Sequence, residues 1–139
     1  MKEGIYIMKA NFKNFTIEAE YTGNKKAEWG NNTENWNHHE VTVTNTETGE
    51  QTSFDFWGSI VNPELSSEYD VLNAFYCFVS DAMSGQESFE SFCSEFGYDT
   101  DSRRAEKTWK ACQKSYDDLQ SIYDGDLYDL ANELQEIAG

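Results

Sequence analysis

The residues of this chain that could do chemistry fall into a few small groups, each to be weighed by its spacing. The run Asp99-Thr100-Asp101-Ser102 opens like a calcium loop. Such a loop needs an oxygen ligand at its fifth position and a glycine at its sixth, where the backbone turns sharply. Arg103 and Arg104 stand there instead. The run therefore reads as a helix cap, its short side chains accepting from free backbone N–H groups. His38 and His39 are adjacent, so in a strand they point to opposite faces. No cysteine or further histidine stands at zinc-ligand spacing from them. No metal and no other cofactor is expected. Cys77, Cys93 and Cys112 are odd in number, and each falls on the apolar side of an expected helix. They read as small buried thiols in a reducing compartment. No glycine-rich phosphate loop occurs, and no motif sets a nucleophile beside a base. The expectation is a protein that is not an enzyme.

What remains is carboxylate. The 139 residues hold 26 acids and 10 bases, a net charge of −16, with 15% aromatics. The aromatics exclude a disordered acidic tail, which lacks the groups that drive collapse. The charge opposes binding to nucleic acid or to anionic membranes and favours basic partners. It is also segregated. Residues 1–62 carry nine acids and five bases, and residues 63–139 carry 17 acids and five bases. Like charges at helical neighbour spacing cost about 0.2–0.5 kcal/mol per pair, and selection for solubility alone intersperses the signs. Helical carboxylates one to two turns apart, roughly 6 Å or more along the axis, can instead imitate the phosphates of a duplex and occupy a basic cleft. The candidate partner-binding residues are Glu64, Glu68, Asp81, Glu87, Glu90, Glu95, Asp99, Asp101, Asp117, Asp118, Asp124, Asp126 and Asp129. Trp29 and Trp36 are secondary interface candidates, since tryptophans in loops and at strand ends often anchor contacts. Arg103, Arg104, Lys107, Lys110 and Lys114 form a basic stripe. It is expected to pair with nearby carboxylates such as Glu106, Asp117 and Asp118, or to supply the second contact of a homodimer.

These residues must be positioned by a fold, and its pattern changes once along the chain. Residues 4–9 read as a short strand. Phe15, Ile17, Ala19 and Tyr21 alternate with polar residues, as do Val41 and Val43, then Phe54 and Phe56. Residues 45–50 form the turn of the clearest hairpin, with Gly49 free to take positive φ. Residues 23–37 read as a long loop or an extended hairpin connection. After Pro63 the period becomes helical. Ser67 is a cap, and Val71, Leu72, Phe75, Phe78, Val79 and Ala82 form one face. Phe89, Phe92, Cys93 and Phe96 mark a second helix closed by Gly97. Ala105, Trp109, Cys112 and Tyr116 mark a third, and Leu127 to Ala138 a fourth, started by Asp124-Gly125-Asp126. The expectation is one α+β domain over residues 1–139. A small antiparallel meander (1–62, β-rich) packs against a helical half of about four helices (63–139). No apolar run of signal-peptide or membrane-spanning length occurs, so the expected location is the cytoplasm.

The stretch FESFCSEFGYDTDSRRAEKTWKAC, with DVLNAFYCFVSDAMSGQESF upstream, resembles a module of small uncharacterised proteins of bacteriophages and other mobile elements. The resemblance covers Asp70 to Gln113 and carries no catalytic residues. By size and charge the chain is also similar to anti-CRISPR and antirestriction proteins, several families of which present DNA-like surface charge. The resemblance implies a phage-type inhibitor of host defence in the bacterial cytoplasm. It would block nucleic-acid binding by laying its acidic helices in the basic groove of a CRISPR effector, without touching nucleic acid or membrane itself. The alternative is a non-catalytic interaction or regulatory module of a mobile element, acting through a tryptophan-bearing β face.

Overall fold

The structure, a computed structural model, describes residues 7–26, 35–58, 65 and 67–138. Four strands, β1 (Ile7–Phe12), β2 (Phe15–Lys26), β3 (Asn35–Asn45) and β4 (Gln51–Gly58), are followed by four helices. These are α1 (Glu68–Ser84), α2 (Phe89–Phe96), α3 (Arg103–Gln120) and α4 (Leu127–Ala138). The fold is α+β. The strands pair in chain order β1-β2-β3-β4, all antiparallel.

Alternation decides which sheet face is covered. Ala10, Phe12, Phe15, Ile17, Ala19, Val41 and Val43 point inward and are buried, with Phe54 and Phe56 beside them. Their neighbours Lys9, Thr16, Glu18, Glu40, Thr42, Ser53 and Asp55 fall on the outer face. Helix α1 supplies the other half of the core. Val71, Leu72, Ala74, Phe75, Phe78, Val79 and Ala82 bury one stripe, so the helix packs on sheet and helices at once. Phe15 meets Phe75 edge-on at 5.7 Å, and Phe54 stacks on Phe78 at 4.3 Å. Helices α3 and α4 close over α1 through Leu119, Ile122, Leu127, Leu130 and Leu134. Asn45 ties the two halves together. It is buried, takes the N–H of Glu47 on its Oδ1 at 2.9 Å, and donates its amide to the Ile122 carbonyl at 2.9 Å.

The helix ends match their sequence signals. Ser67, Ser88 and Ser102 each accept a backbone N–H from three residues on, at 3.1–3.2 Å. Gly97 closes α2 in the left-handed region (φ 74), where a Cβ would be penalised. Gly85 does more than stop α1. A Cβ there would lie 2.5 Å from the Cys112 carbonyl carbon and 2.6 Å from the Gln113 nitrogen. The end of α1 thus rests directly on the backbone of α3.

Two expectations need correction. The strand expected at residues 4–9 is present over its described part and runs on to Phe12, because the turn at Lys13-Asn14 sets the register that turns Ala10 and Phe12 inward; residues 4–6 lie outside the described residues. The stretch 23–37 is not simply a loop. Its ends continue the β2–β3 ladder, Gly23 pairing with His38 and Lys26 with Asn35, after a bulge between Tyr21 and Gly23. The extra residue lets period-two pairing resume beyond it.

Candidate functional site

The acidic surface of the helical half can be assembled helix by helix. Glu68 begins α1 and Asp81 stands in its last turn. Glu87 precedes α2, which carries Glu90 and Glu95. Asp99 and Asp101 occupy the α2–α3 corner, Asp117 and Asp118 the last turn of α3, Asp124 and Asp126 the next corner, and Asp129 the first turn of α4. All are exposed except Glu87 and Asp118, which are half-buried. Asp118 accepts from Lys114 Nζ at 2.7 Å. None of the other described candidates forms an ion pair among the described residues, where the pairs are Lys9–Glu18, Lys13–Glu133, His38–Asp55 and Lys114–Asp118. The basic stripe of α3 does not neutralise the array: Arg103, Arg104, Lys107 and Lys110 are exposed and make no ion pair among those residues. Glu64 and Trp29 lie outside the described residues.

The charge also runs against the helices themselves. A helix C-terminus carries partial negative charge and favours cations. No helix here has a basic residue in its last turn. Instead Asp81, Glu95, Asp117, Asp118 and Glu136 stand there. Helix α3 also carries Arg103 and Arg104 in its first turn, beside Glu106.

Within this surface lies a groove. One face of α1 (Tyr76, Ser80, Met83), one face of α4 (Tyr128, Ala131, Asn132, Gln135) and the start and end of α2 enclose a hollow of about 540 Å³. A second hollow of about 260 Å³ adjoins it, lined by Met83, Gln86, Tyr116, Gln120 and Leu127. Tyr128, 67% exposed, lines both hollows, as do Met83 and Gln86. Glu87 and Glu95 both line the larger hollow. Contact with Glu95, then partial desolvation, pushes the Glu87 carboxyl up. The capped corner holds this pair in place. Trp109 Nε1 donates to the Glu87 carbonyl at 3.0 Å and its ring packs on Phe89 at 5.2 Å.

A third hollow, of about 380 Å³, opens between β4, α1 and α3 and is lined by Asp55, Cys77, Phe78, Asp81, Lys114 and Asp118. Asp81 keeps solvent contact, yet its walls desolvate it and push its carboxyl up to about 6. Cys77 faces this hollow and is exposed, which corrects the expectation that all three thiols are buried. Residue 77 lies just off the apolar stripe that runs from Phe75 to Phe78. Desolvation first, and the Asp81 charge second, push both the Cys77 and Cys112 thiols up, the latter to about 11. Neither is an activated nucleophile.

His38 and His39 do point to opposite faces, and both are buried. His39 stacks on Tyr21 and accepts the Leu65 N–H at its Nε2 (3.2 Å). Burial, then the neighbouring His38, holds its pKa down. His38 lies under Trp57, with ring centres 4.4 Å apart, and joins Asp55 Oδ1 (2.8 Å) to the Thr22 hydroxyl. A hydroxyl, imidazole and carboxylate in line could serve a nucleophile and its base. The Thr22 hydroxyl, however, also contacts the His38 carbonyl oxygen at 3.2 Å, and neither Thr22 nor His38 lines any of the three hollows. The network spans the bulge within the β2–β3 ladder. Trp36 stands in β3 near it, half-buried.

Sequence reasoning found the carboxylates and missed the groove. Tyr76 and Met83 recur at a seven-residue interval on α1, a second face beside the core stripe, which was the available signal. Among the described residues no helix is long and apolar enough to cross a membrane, and no group of three or more potential ligands could hold a metal. Comparison with protein-family models, curated proteins and solved structures found no match.

Proposed function

We propose that this protein is a non-catalytic, stoichiometric inhibitor of the phage type. It occupies the basic nucleic-acid groove of a host defence protein, most concretely a CRISPR effector, with the acidic surface of its helical half. The observation that carries this reading is that every helix has a carboxylate and no basic residue in its last turn, with Asp118 paired to Lys114 one turn earlier. That arrangement opposes the helix dipoles by about 0.3–1 kcal/mol each at low salt. A feature that costs the isolated molecule stability is one that a partner exploits. Binding at the groove would exclude nucleic acid by competition and would be fast, because complementary fields steer encounter.

The test is a competition assay. A guide-loaded effector is mixed with labelled target DNA and increasing amounts of this protein. One equivalent should abolish DNA binding, and the effect should fade as salt rises through the range that screens exposed charges. The combined variant Glu87→Lys, Glu90→Lys, Glu95→Lys should not inhibit. Inhibition that survives both salt and charge reversal would overturn the acidic-surface reading. It would favour the outer sheet face, where Trp57 covers His38.

A further inference from the structure

We propose that His39 is an acid-sensitive latch, whose neutral ring holds Leu65 in the core and lets it go when the ring takes a second proton. His39 is 1% exposed, and Leu65, which lies between β4 and α1 along the chain, is buried in the core. The Leu65 N–H donates to His39 Nε2 at 3.2 Å. A ring nitrogen that accepts must be bare, so the single proton of the neutral ring sits on Nδ1. Nδ1 is buried and has no partner among the described residues. A buried donor without an acceptor is an exception in native structures and calls for a reason. A second proton would stand on Nε2, donor against donor with the Leu65 N–H. The charged ring would then hold two buried donors and no acceptor for either, so its site must open.

The elements around the ring supply nothing to hold that charge. From β2, Tyr21 lies opposite and packs on it at 5.2 Å, with its hydroxyl donating to Asn37 Oδ1 at 2.8 Å. From β4, Phe56 stands opposite. His38, next along β3, turns to the other face, where it takes Asp55 as its partner. Glu68 and Asp70, the acids that open α1, make no ion pair with the ring. Burial first, and His38 second, hold His39 below the ordinary imidazole value of 6.5. The closed site thus excludes a proton that the open one accepts, and closure weakens as pH falls below that value. Asp81 responds to acid with the opposite sign, so overall stability does not isolate the latch and a local reading is needed.

The experiment is amide hydrogen exchange of the intact protein, followed by NMR from about pH 7.5 to about pH 5, across the ordinary imidazole range. Each rate is divided by that of an unstructured amide at the same pH. Protection of the Leu65 amide should fall about tenfold over that span, while that of Val43 in the sheet and Phe75 in α1 holds. His39→Gln, whose side-chain oxygen accepts the same N–H and takes no proton, should keep Leu65 protected throughout. Nitrogen-15 spectra of the imidazole in the unmodified protein give a check that needs no variant: at neutral pH the proton should be on Nδ1. Leu65 protection that holds in acid, falls equally at all three amides, or falls as far in His39→Gln would overturn the latch, as would a proton found on Nε2 at neutral pH.

Discussion

Asp81 shows how one residue can carry a cost of the fold. Its carboxyl is pushed from 3.8 to about 6 by the walls of the hollow, so the folded chain takes up a proton more readily than the unfolded chain. The stabilisation from that proton is complete below about pH 4 and is lost as pH rises through 6. At neutral pH the charged carboxylate therefore opposes folding. Asp81→Asn should raise stability at pH 7.5 by about 1 kcal/mol, allowing for its solvent contact, and by nothing at pH 3.5; urea titrations at both pH values measure the difference. The same substitution removes a charge that raises the Cys77 thiol, so alkylation of Cys77 by iodoacetamide at pH 8 should speed up. Gly85→Ala should destabilise by roughly 1–3 kcal/mol, the usual cost of overpacking, since its Cβ would strike the α3 backbone; a thermal melt reads it. Caps were legible because each depends on a few neighbouring residues: Ser67, Ser88, Ser102 and Gly97 stand where local rules put them. Gly85 was legible only as a stop. Its contact with Cys112 spans 27 positions of chain and belongs to packing, not to pattern.

At the scale of the element, the reversed helix ends make a prediction of opposite signs. Placing a cation in a last turn satisfies the dipole, so Asp117→Lys and Glu136→Lys should each stabilise the isolated protein by about 0.3–1 kcal/mol. Asp117→Lys should at the same time weaken inhibition in the DNA competition assay. A stability gain without any loss of inhibition would show that the α3 end plays no part in binding. The number, order and type of helices could be read from period and caps, since each helix buries one regular stripe. The groove could not. It exists because Tyr76 and Met83 on α1 come to lie across from Tyr128 and Ala131 on α4, an angle between helices that no local signal specifies. The β2–β3 extension was hidden for a similar reason. The bulge after Tyr21 shifts the register by one residue, and Gly- and Asn-rich sequence disguises the ladder that follows.

For the whole molecule, the net charge of −16 predicts two responses to salt. Screening relieves self-repulsion in the free protein, so adding 0.5 M sodium chloride, on the order of ten times the low-salt level where such effects are strongest, should raise its melting midpoint. The same salt should dissociate it from a basic partner. The α+β class was visible because alternation gives way to helical period once, near Pro63. How the halves join was not, because Asn45 reaching Ile122 and Phe15 meeting Phe75 are long-range contacts between otherwise ordinary residues. The strand order has a consequence for how the chain is made. Every strand pairs with the one before it, so a ribosome releases a sheet that can zip up hairpin by hairpin as it emerges. Its greasy side then waits for α1, which is synthesised only afterwards. During that interval Phe15, Ile17, Val41 and Val43 face water, and a chain cut short after residue 66 and released should aggregate, whereas one cut short after residue 90, which includes α1, should aggregate less.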